Sequence, residues 1–392
     1  MNATERTWQG RDVSVAAIGA VLAGLWRSGS EAAGVVSKPP TRTSVFNLVV
    51  YTDSPTGADH AVAALRALAE RHPSRTILVV ADPTGPSTLD AALDSQCGAV
   101  LAQAHLCWEQ VTLTVHGPAA AHASSIVVPL LVPSLPTYLW WDGDLPFDAP
   151  AFKDMAPTCD RLIVESSLCT DAFAALPRLA AVCHEDVDRG VSDIDWMRLT
   201  PWRNLAAQFF DPLDARPCTR NVANVDIVYG AGDGGKTASP AQALLLAGWL
   251  TSCLGWNVVE AVQRGDDILY IGCTGRDGSP VALSLTPRVV ASVEAGHVAT
   301  LTLRSTLNGA PAVFAVARGD DDDVTTTATV GDAALLARTT RMVTRPFADL
   351  LAEELDIFKH DRMYERALAV AADMAVRLVY YGNGHHPAAA ST

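Results

Sequence analysis

The sequence has little positive charge, few charged residues overall and no apolar run long enough to cross a bilayer. Only 18% of its 392 residues are charged, four of them lysines, and the formal net charge is −14. This charge gives no attraction to nucleic acids or anionic membranes. The apolar stretches 13–26 and 244–256 are shorter than the ~20 residues of a membrane-spanning helix, and the first lacks the basic start of a signal peptide. We therefore expect a cytoplasmic protein without nucleic-acid or membrane partners.

Paired cysteines are also missing. The eight cysteines are scattered, and none forms the C-x-x-C pair that is typical of structural zinc sites. With 49% apolar residues, a chain of this length can bury a full core without disulfides. We expect reduced thiols and neither a metal nor a cofactor, with a redox switch between two cysteines as the alternative.

The first half of the chain alternates strand and helix signals. Residues 57–72 show helical spacing of apolar positions, 124–133 form a segment broken by Pro129, and 170–182 predict a helix interrupted at Pro177. Runs rich in β-branched and apolar residues predict strands at 42–53, 74–82, 111–117, 136–143 and 160–166. This alternation predicts an α/β domain with a mainly parallel sheet.

The second half has a different pattern. After a helix near 239–255, short strand-like runs follow each other without helices between them, which predicts an α+β domain with an antiparallel meander. The segments 332–357 and 361–381 have helical patterns. We predict a helical segment at 1–40, an α/β domain at 41–210, an α+β domain at 225–382 and a flexible tail at 383–392.

One glycine-rich stretch, GAGDGGKT at 230–237, matches the phosphate-binding pattern G-x-x-x-x-G-K-[ST]. It would bind nucleotide through Gly230, Gly235, Lys236 and Thr237. The context disfavours this role, because a meander follows and Ser239-Pro240 predicts that the helix begins after Lys236 and Thr237. An NTPase therefore stays the alternative function.

Two groups of polar residues lie at predicted element ends and are candidates for binding a small anionic metabolite. Each has a structural explanation as well, because helix ends and turns use the same side chains for capping and hydrogen bonding. A further alternative function is a sugar-phosphate-binding enzyme that would use Ser–His chemistry in the second group, but the G-x-S-x-G pattern is absent and we name no catalytic residue. The first group is His72, Ser74 and Arg75, and the second is His116, His122, Ser124 and Ser125.

Tryptophan and arginine dominate the energetics of protein interfaces, and they cluster in two places. Trp140 and Trp141 end a predicted strand, where one side chain is expected to point outward, and we select Trp141. The stretch DIDWMRLTPWR at 193–203 supplies the other candidates for binding a partner protein, which are Trp196, Arg198, Trp202 and Arg203. The alternative is a buried tryptophan pair that fixes a helix on the sheet.

Four stretches in this order resemble the glucose-6-phosphate dehydrogenase assembly protein family, OpcA: RHPSR (71–75), HGPAAAHASSIVVPLLVPSLPTYLWW (116–141), DIDWMRLTPWR (193–203) and ALLLAGWLTSCLGW (243–256). The resemblance covers about 41–205, resumes at 243–256 and extends more weakly over 336–368. It implies a non-enzymatic protein that binds glucose-6-phosphate dehydrogenase and promotes its active oligomer. In cyanobacterial relatives the effect is linked to thiol redox state.

Overall fold

The computed structural model describes residues 4–31, 44–69, 71–101, 104–185, 188–232, 238–263, 267–357 and 360–380. The chain forms two compact units, each assembled from three separate segments. The first unit contains 1–165, 186–194 and 346–360, and the second contains 166–185, 195–345 and 361–392. Helices 172–185 and 200–208, which we placed in the α/β range, therefore cluster with the second sheet.

The first unit is built on an eight-stranded sheet. Six of its strands are parallel in the order β5-β3-β2-β6-β7-β8, and β4 and β1 extend the β5 edge with antiparallel pairing. The strands are β1 Thr4–Gly10, β2 Asn47–Thr52, β3 Arg75–Asp82, β4 Leu89–Leu101, β5 Ala104–His116, β6 Thr137–Trp141, β7 Arg161–Val164 and β8 Gly190–Asp193. The helices are α1 Val15–Glu31, α2 Pro55–Leu68, α3 Ser124–Val127, α4 Pro150–Met155 and, from the third segment, α9 Phe347–Leu355.

The inner strands of this sheet are buried on both faces. Every residue of β2, β6 and β7 is buried, which requires cover on each side of the sheet. This burial accounts for the near-continuous apolar runs in the sequence, and the predicted mainly parallel sheet is confirmed.

The second unit contains a nine-stranded mixed sheet in the order β16-β15-β14-β13-β9-β12-β11-β10-β17. Its antiparallel pairs confirm the predicted meander, but β9 pairs parallel with β12 and β17 parallel with β10. The sheet is therefore mixed. Strand β9 lies between β12 and β13, which come later in the chain, and pairs parallel with β12 and antiparallel with β13. The strands are β9 Asn224–Gly230, β10 Asn257–Gln263, β11 Leu269–Thr274, β12 Pro280–Arg288, β13 Val298–Leu307, β14 Ala310–Arg318, β15 Asp323–Val330, β16 Ala333–Arg341 and β17 Leu378–Tyr380.

Five described helices accompany the second sheet. They are α5 Ala172–Glu185, α6 Ile194–Arg198, α7 Thr200–Gln208, α8 Ala241–Leu254 and α10 Arg362–Val376. Among them, α7, α8 and α10 contact its strands. The first eleven residues of α8 are all buried, which explains why its sequence is apolar around the whole helix. No helix in the described part of the chain is long and apolar enough to cross a membrane.

Three predictions about elements are wrong. Residues 333–341 form strand β16, because pairing with β15 overrides a helical pattern at the sheet edge. Helix α5 continues through Pro177, which interrupts only one backbone hydrogen bond of the helix. The N-terminal segment contains β1 as well as a helix, since residues 4–10 pair with β4.

Candidate functional site

The parallel sheet reverses its winding direction between β2 and β6. Strands β3 and β5 follow on one side of β2, and β6, β7 and β8 follow on the other. In open α/β sheets, the crevice beyond the carboxyl ends of the strands at such a reversal is the usual ligand site. Thr52 and Trp141 end the two strands here, and helix α2 begins directly after β2.

Side chains of the protein itself occupy the space at the N-terminal end of α2. The Ser54 hydroxyl caps the helix by accepting a hydrogen bond from the Gly57 N–H at 2.9 Å, and Pro55 supplies no N–H. A Cβ added to Gly57 would lie 2.6 Å from Asp142 Oδ2 and 2.1 Å from Thr52 Oγ1. The Asp142 carboxylate, only 6% exposed, therefore lies against the helix end where an anion would otherwise bind.

Aromatic rings close the same crevice. The Phe347 ring, at the start of α9, lies 4.5 Å from the His60 ring and 4.8 Å from the Trp140 ring. His60 Nδ1 in turn lies 3.1 Å from Asp142 Oδ1. This cluster was not predicted from the sequence. The turn TDSPTG after β2 lacks a Gly-x-Gly pair and could have signalled it, whereas Phe347 is too distant in the chain to be linked by pattern.

The residues of the first predicted anion-binding group contact other residues of the protein. Arg75, 4% exposed, pairs with Glu109 at 2.5 Å and donates to the Leu130 carbonyl at 2.7 Å. The Ser74 hydroxyl lies 3.1 Å from Thr76 Oγ1. His72 is half-buried, with Nδ1 3.8 Å from the Asp356 carboxylate. The guanidinium of Arg75 therefore neutralises a buried carboxylate rather than facing solvent.

The residues of the second group follow each other from the carboxyl end of β5 to the start of α3, and their hydrogen bonds do not form a catalytic arrangement. The Ser125 hydroxyl donates to the His122 carbonyl at 2.8 Å rather than to its imidazole. The first N–H of α3, from Ser124, donates to the Asp154 carboxylate at 2.8 Å. His116 Nδ1 lies 3.4 Å from Asp82 Oδ2, and hydrogen bonds from Thr84 are the main cause of a lowered pKa at Asp82.

The prediction that one tryptophan of the β6 pair points outward is wrong. Trp140 is fully buried and Trp141 is 3% exposed, because both faces of this sheet are covered. The Trp141 ring stacks on Tyr51 at 4.1 Å, and its Nε1 donates to the Asp144 carbonyl at 2.9 Å. Trp141 could contact a partner only after rearrangement of this core.

Trp196 is the centre of a packed cluster in the second unit. It is 2% exposed and donates from Nε1 to Asp361 Oδ2 at 2.8 Å, and the Arg203 guanidinium carbon lies 3.3 Å from the centre of its ring. Asp361 also caps α10 by accepting from the N–H groups of Met363 and Tyr364. With Trp202 also buried, the alternative interpretation of a helix-fixing tryptophan pair describes this cluster. The interpretation of these residues as partner contacts stays a prediction.

Arg198 belongs to a polar network around the fully buried Asp195. The Asp195 carboxylate accepts from the Ser167 N–H at 2.6 Å and from Gln242 Nε2 at 2.8 Å, and Arg198 Nη1 lies 3.6 Å away. Burial and then the charge of Arg198 lower the pKa of nearby His297. These bonds fix the start of α8 to α6, so that the network has a structural role.

Of the glycine-rich loop, Gly230 lies within the described residues, whereas Gly235, Lys236 and Thr237 lie outside them. Helix α8 begins at Ala241, beyond Lys236 and Thr237, as predicted. The predicted cap is wrong, since Pro240 occupies the cap position without a side-chain bond. A Cβ added to Gly230 would lie 2.2 Å from the Glu294 carbonyl oxygen, so close backbone packing explains this glycine.

Three buried thiols are held in the protonated form. Burial raises the pKa of Cys159 to about 12 and that of Cys273 to about 11, and it also raises the pKa of Cys218. Because the thiolate is the reactive species, these cysteines are poor redox sensors.

Two family models match most of this chain. The model described as the glucose-6-phosphate dehydrogenase subunit N-terminal domain matches residues 65–181, and the corresponding C-terminal domain model matches residues 189–368. Similar curated proteins carry the name OxPP cycle protein OpcA. The one from Nostoc punctiforme is 28% identical over 81% of this chain and 70% of its own length. The one from Synechococcus elongatus is 30% identical over 57% of this chain and about half (49%) of its own length.

Solved structures of low sequence identity share the fold. An NAD binding oxidoreductase from Klebsiella pneumoniae is 12% identical with a TM-score of 0.51, over 85% of this chain and 95% of its own. A levoglucosan dehydrogenase in complex with NADH is 11% identical with a TM-score of 0.50, over 84% and 96%. At this sequence identity, the similarity shows a shared fold only.

Proposed function

The chain belongs to the OpcA family of glucose-6-phosphate dehydrogenase assembly proteins, and from this premise we propose that it binds glucose-6-phosphate dehydrogenase and favours its active oligomer. The two adjacent family matches carry this proposal. The protein would act in the cytoplasm, in the oxidative pentose phosphate pathway. It would work as an allosteric activator by binding the active oligomer more tightly than the other states. A tenfold preference corresponds to about 1.4 kcal/mol of coupling.

The filled crevice supports a role without chemistry. A dinucleotide bound at the winding reversal places its pyrophosphate on the first turn of the helix after the first parallel strand. In this chain the Asp142 carboxylate lies against that turn, and Pro55 removes one of the N–H donors. An incoming pyrophosphate would meet a like charge, beside the packed rings of His60, Trp140 and Phe347. The fold shared with oxidoreductases is therefore compatible with a protein that has no nicotinamide chemistry of its own.

The test is to mix the purified protein with the dehydrogenase of the same organism. We expect co-elution, a larger dehydrogenase oligomer and higher dehydrogenase activity than for the enzyme alone. The protein by itself should neither oxidise glucose 6-phosphate with NADP nor change its melting temperature with NADP. No co-elution and unchanged activity, under both reducing and oxidising conditions, would refute the proposal.

A second experiment tests the alternative that the protein is an NTPase. An NTPase should be stabilised by ATP with magnesium, by about 2.7 kcal/mol at a hundredfold excess over Kd. Lys236→Ala should abolish that shift if the glycine-rich loop binds phosphate. Under our proposal Lys236→Ala leaves both the melting temperature with ATP and the activation of the dehydrogenase unchanged.

A further inference from the structure

Among the described residues of the second unit, no helix lies on one of the two faces of its sheet. In β9, Val225, Ile227 and Tyr229 are buried, whereas Asp226 and Val228 between them are half-buried. The same alternation runs through β11, β12, β13, β14 and β15. The buried set faces the helices, as the contacts of Phe209 and Phe210 with Phe314 show. The other set forms the opposite surface, called here the open face.

Strand register defines the open face as a continuous layer in which threonine, serine and alanine predominate. Directly paired residues lie on the same face, and the pairs Tyr270–Ser284, Ser284–Asp226, Asp226–Thr302, Thr302–Ala315 and Ala315–Thr327 form one row across six strands. Threonine, serine and alanine side chains project little from the sheet. A surface of such short side chains can approach another sheet closely, in the geometry of aligned sheet packing.

The size of the open face is that of a stable interface. Nine strands spaced ~4.8 Å apart, with strands about 25 Å long, give a face of roughly 1,000 Å². A specific protein–protein interface of standard size buries about 800 Å² on each partner. The open face is therefore large enough to supply one side of such an interface by itself.

The charge of the open face favours a second copy of the chain as its binding partner. The chain has a net charge of −14, which disfavours self-association through its average surface. At the described positions of the open face, however, three carboxylates are balanced by three guanidinium groups, those of Asp226, Glu260, Asp323, Arg288, Arg304 and Arg341. In the centre, Arg304 pairs with Asp226, which also accepts from Ser284 Oγ at 2.6 Å.

A two-fold contact brings identical surfaces together, so a face whose opposite charges balance, with the central Asp226 and Arg304 already paired, does not repel its own copy. We propose that two copies of this chain pack their open faces against each other about a two-fold axis. This inference concerns the protein alone and does not depend on the proposed function. The interface would be rich in methyl groups and hydroxyls, with the Asp226–Arg304 pairs near its centre.

The experiment is sedimentation velocity of the full chain at micromolar concentrations, without the dehydrogenase. We expect a particle of twice the 41.4 kDa chain mass. Thr302→Arg and Ala315→Arg each place like charges from both copies in the interface and should weaken the dimer at least ~100-fold. The control is Val376→Arg, because this 71% exposed residue lies at the end of α10 on the helix-covered side.

Circular dichroism and melting temperature establish that each variant is folded. If Thr302→Arg does not fold, Thr302→Asp makes the same test with the opposite charge. An equimolar mixture of the Arg and Asp variants at position 302 should regain the dimer mass. A wild-type protein that sediments as one chain, or a dimer that all open-face variants leave intact, would overturn the proposal. A wild-type single chain whose Thr302→Arg variant alone fails to co-elute with the dehydrogenase would assign the open face to that enzyme instead.

Discussion

The buried ion pair of Arg75 and Glu109 tests whether this arginine is structural or binds a ligand. The two side chains are 4% and 3% exposed and their charged atoms are 2.5 Å apart. In Arg75→Ala, the Glu109 carboxylate would lose its cationic partner inside the sheet. Removing one partner of a buried pair typically costs about 3–5 kcal/mol. For a unit of this size about 2–4 °C is lost per kcal/mol, so the first unit should melt roughly 6–20 °C lower.

The double variant Arg75→Met, Glu109→Leu separates charge from packing. It removes both charges and keeps most of the apolar volume between β3 and β5. Replacing both partners by apolar groups is often neutral or stabilising, so most of the loss should be recovered. The Leu130 carbonyl still loses the donor that lies 2.7 Å away, which leaves a residual cost of about 1–3 kcal/mol.

The assay is thermal unfolding followed by tryptophan fluorescence, with dehydrogenase activation measured on the same samples below the transition. The ligand-binding interpretation of Arg75 makes the opposite prediction. If Arg75→Ala melts at the wild-type temperature but no longer activates the dehydrogenase or binds a sugar phosphate, the structural reasoning is refuted.

Three further predictions concern the two units separately. The pKa of His297 is lowered in the folded state from its ordinary value of 6.5. The unfolded chain therefore binds more protons as the pH drops from 7 to 5, and the free energy of unfolding should fall over this range. In urea titrations the fall should be shallower for His297→Gln, by at most ~1.4 kcal/mol per pH unit. Trp196→Phe should lower the unfolding free energy by about 1.5–3 kcal/mol by removing the bond to Asp361, and a value near zero in the same titration would contradict the geometry. Phe347→Ala should cost less than the ~3–5 kcal/mol of a fully buried phenylalanine, because Phe347 is half-buried. It should not create NADP binding by calorimetry, since the Asp142 carboxylate remains, and measurable binding would show that Phe347 alone closes the crevice.

The sequence was informative where local pattern and tertiary structure agree. We predicted the buried strands around Val49 and Ile163 and the uniformly apolar helix α8, because elements that are buried on all sides have continuous apolar sequences. Strand β16 was predicted wrongly, because the partner strand that determines its conformation is not part of the local pattern.

The candidate site shows the same limit. Arg75 and Trp141 were selected for residue types that favour binding, but the same types satisfy buried carboxylates and fill aromatic cores. The filled crevice depends on Asp142 and Phe347, which come from segments about two hundred residues apart in the sequence. No periodicity connects such positions, so that only the folded structure could bring them together.

The interleaving of the two units has a consequence for how the chain is made. The segment 346–360, which brings α9 and Phe347 to the first unit, leaves the ribosome only after nearly all of the second unit's sheet has been synthesised. The N-terminal unit therefore cannot complete its aromatic core during its own translation. Neither unit can be produced as one uninterrupted fragment, and a chain truncated before Pro346 would leave the His60–Trp140 surface exposed to aggregation or to chaperones.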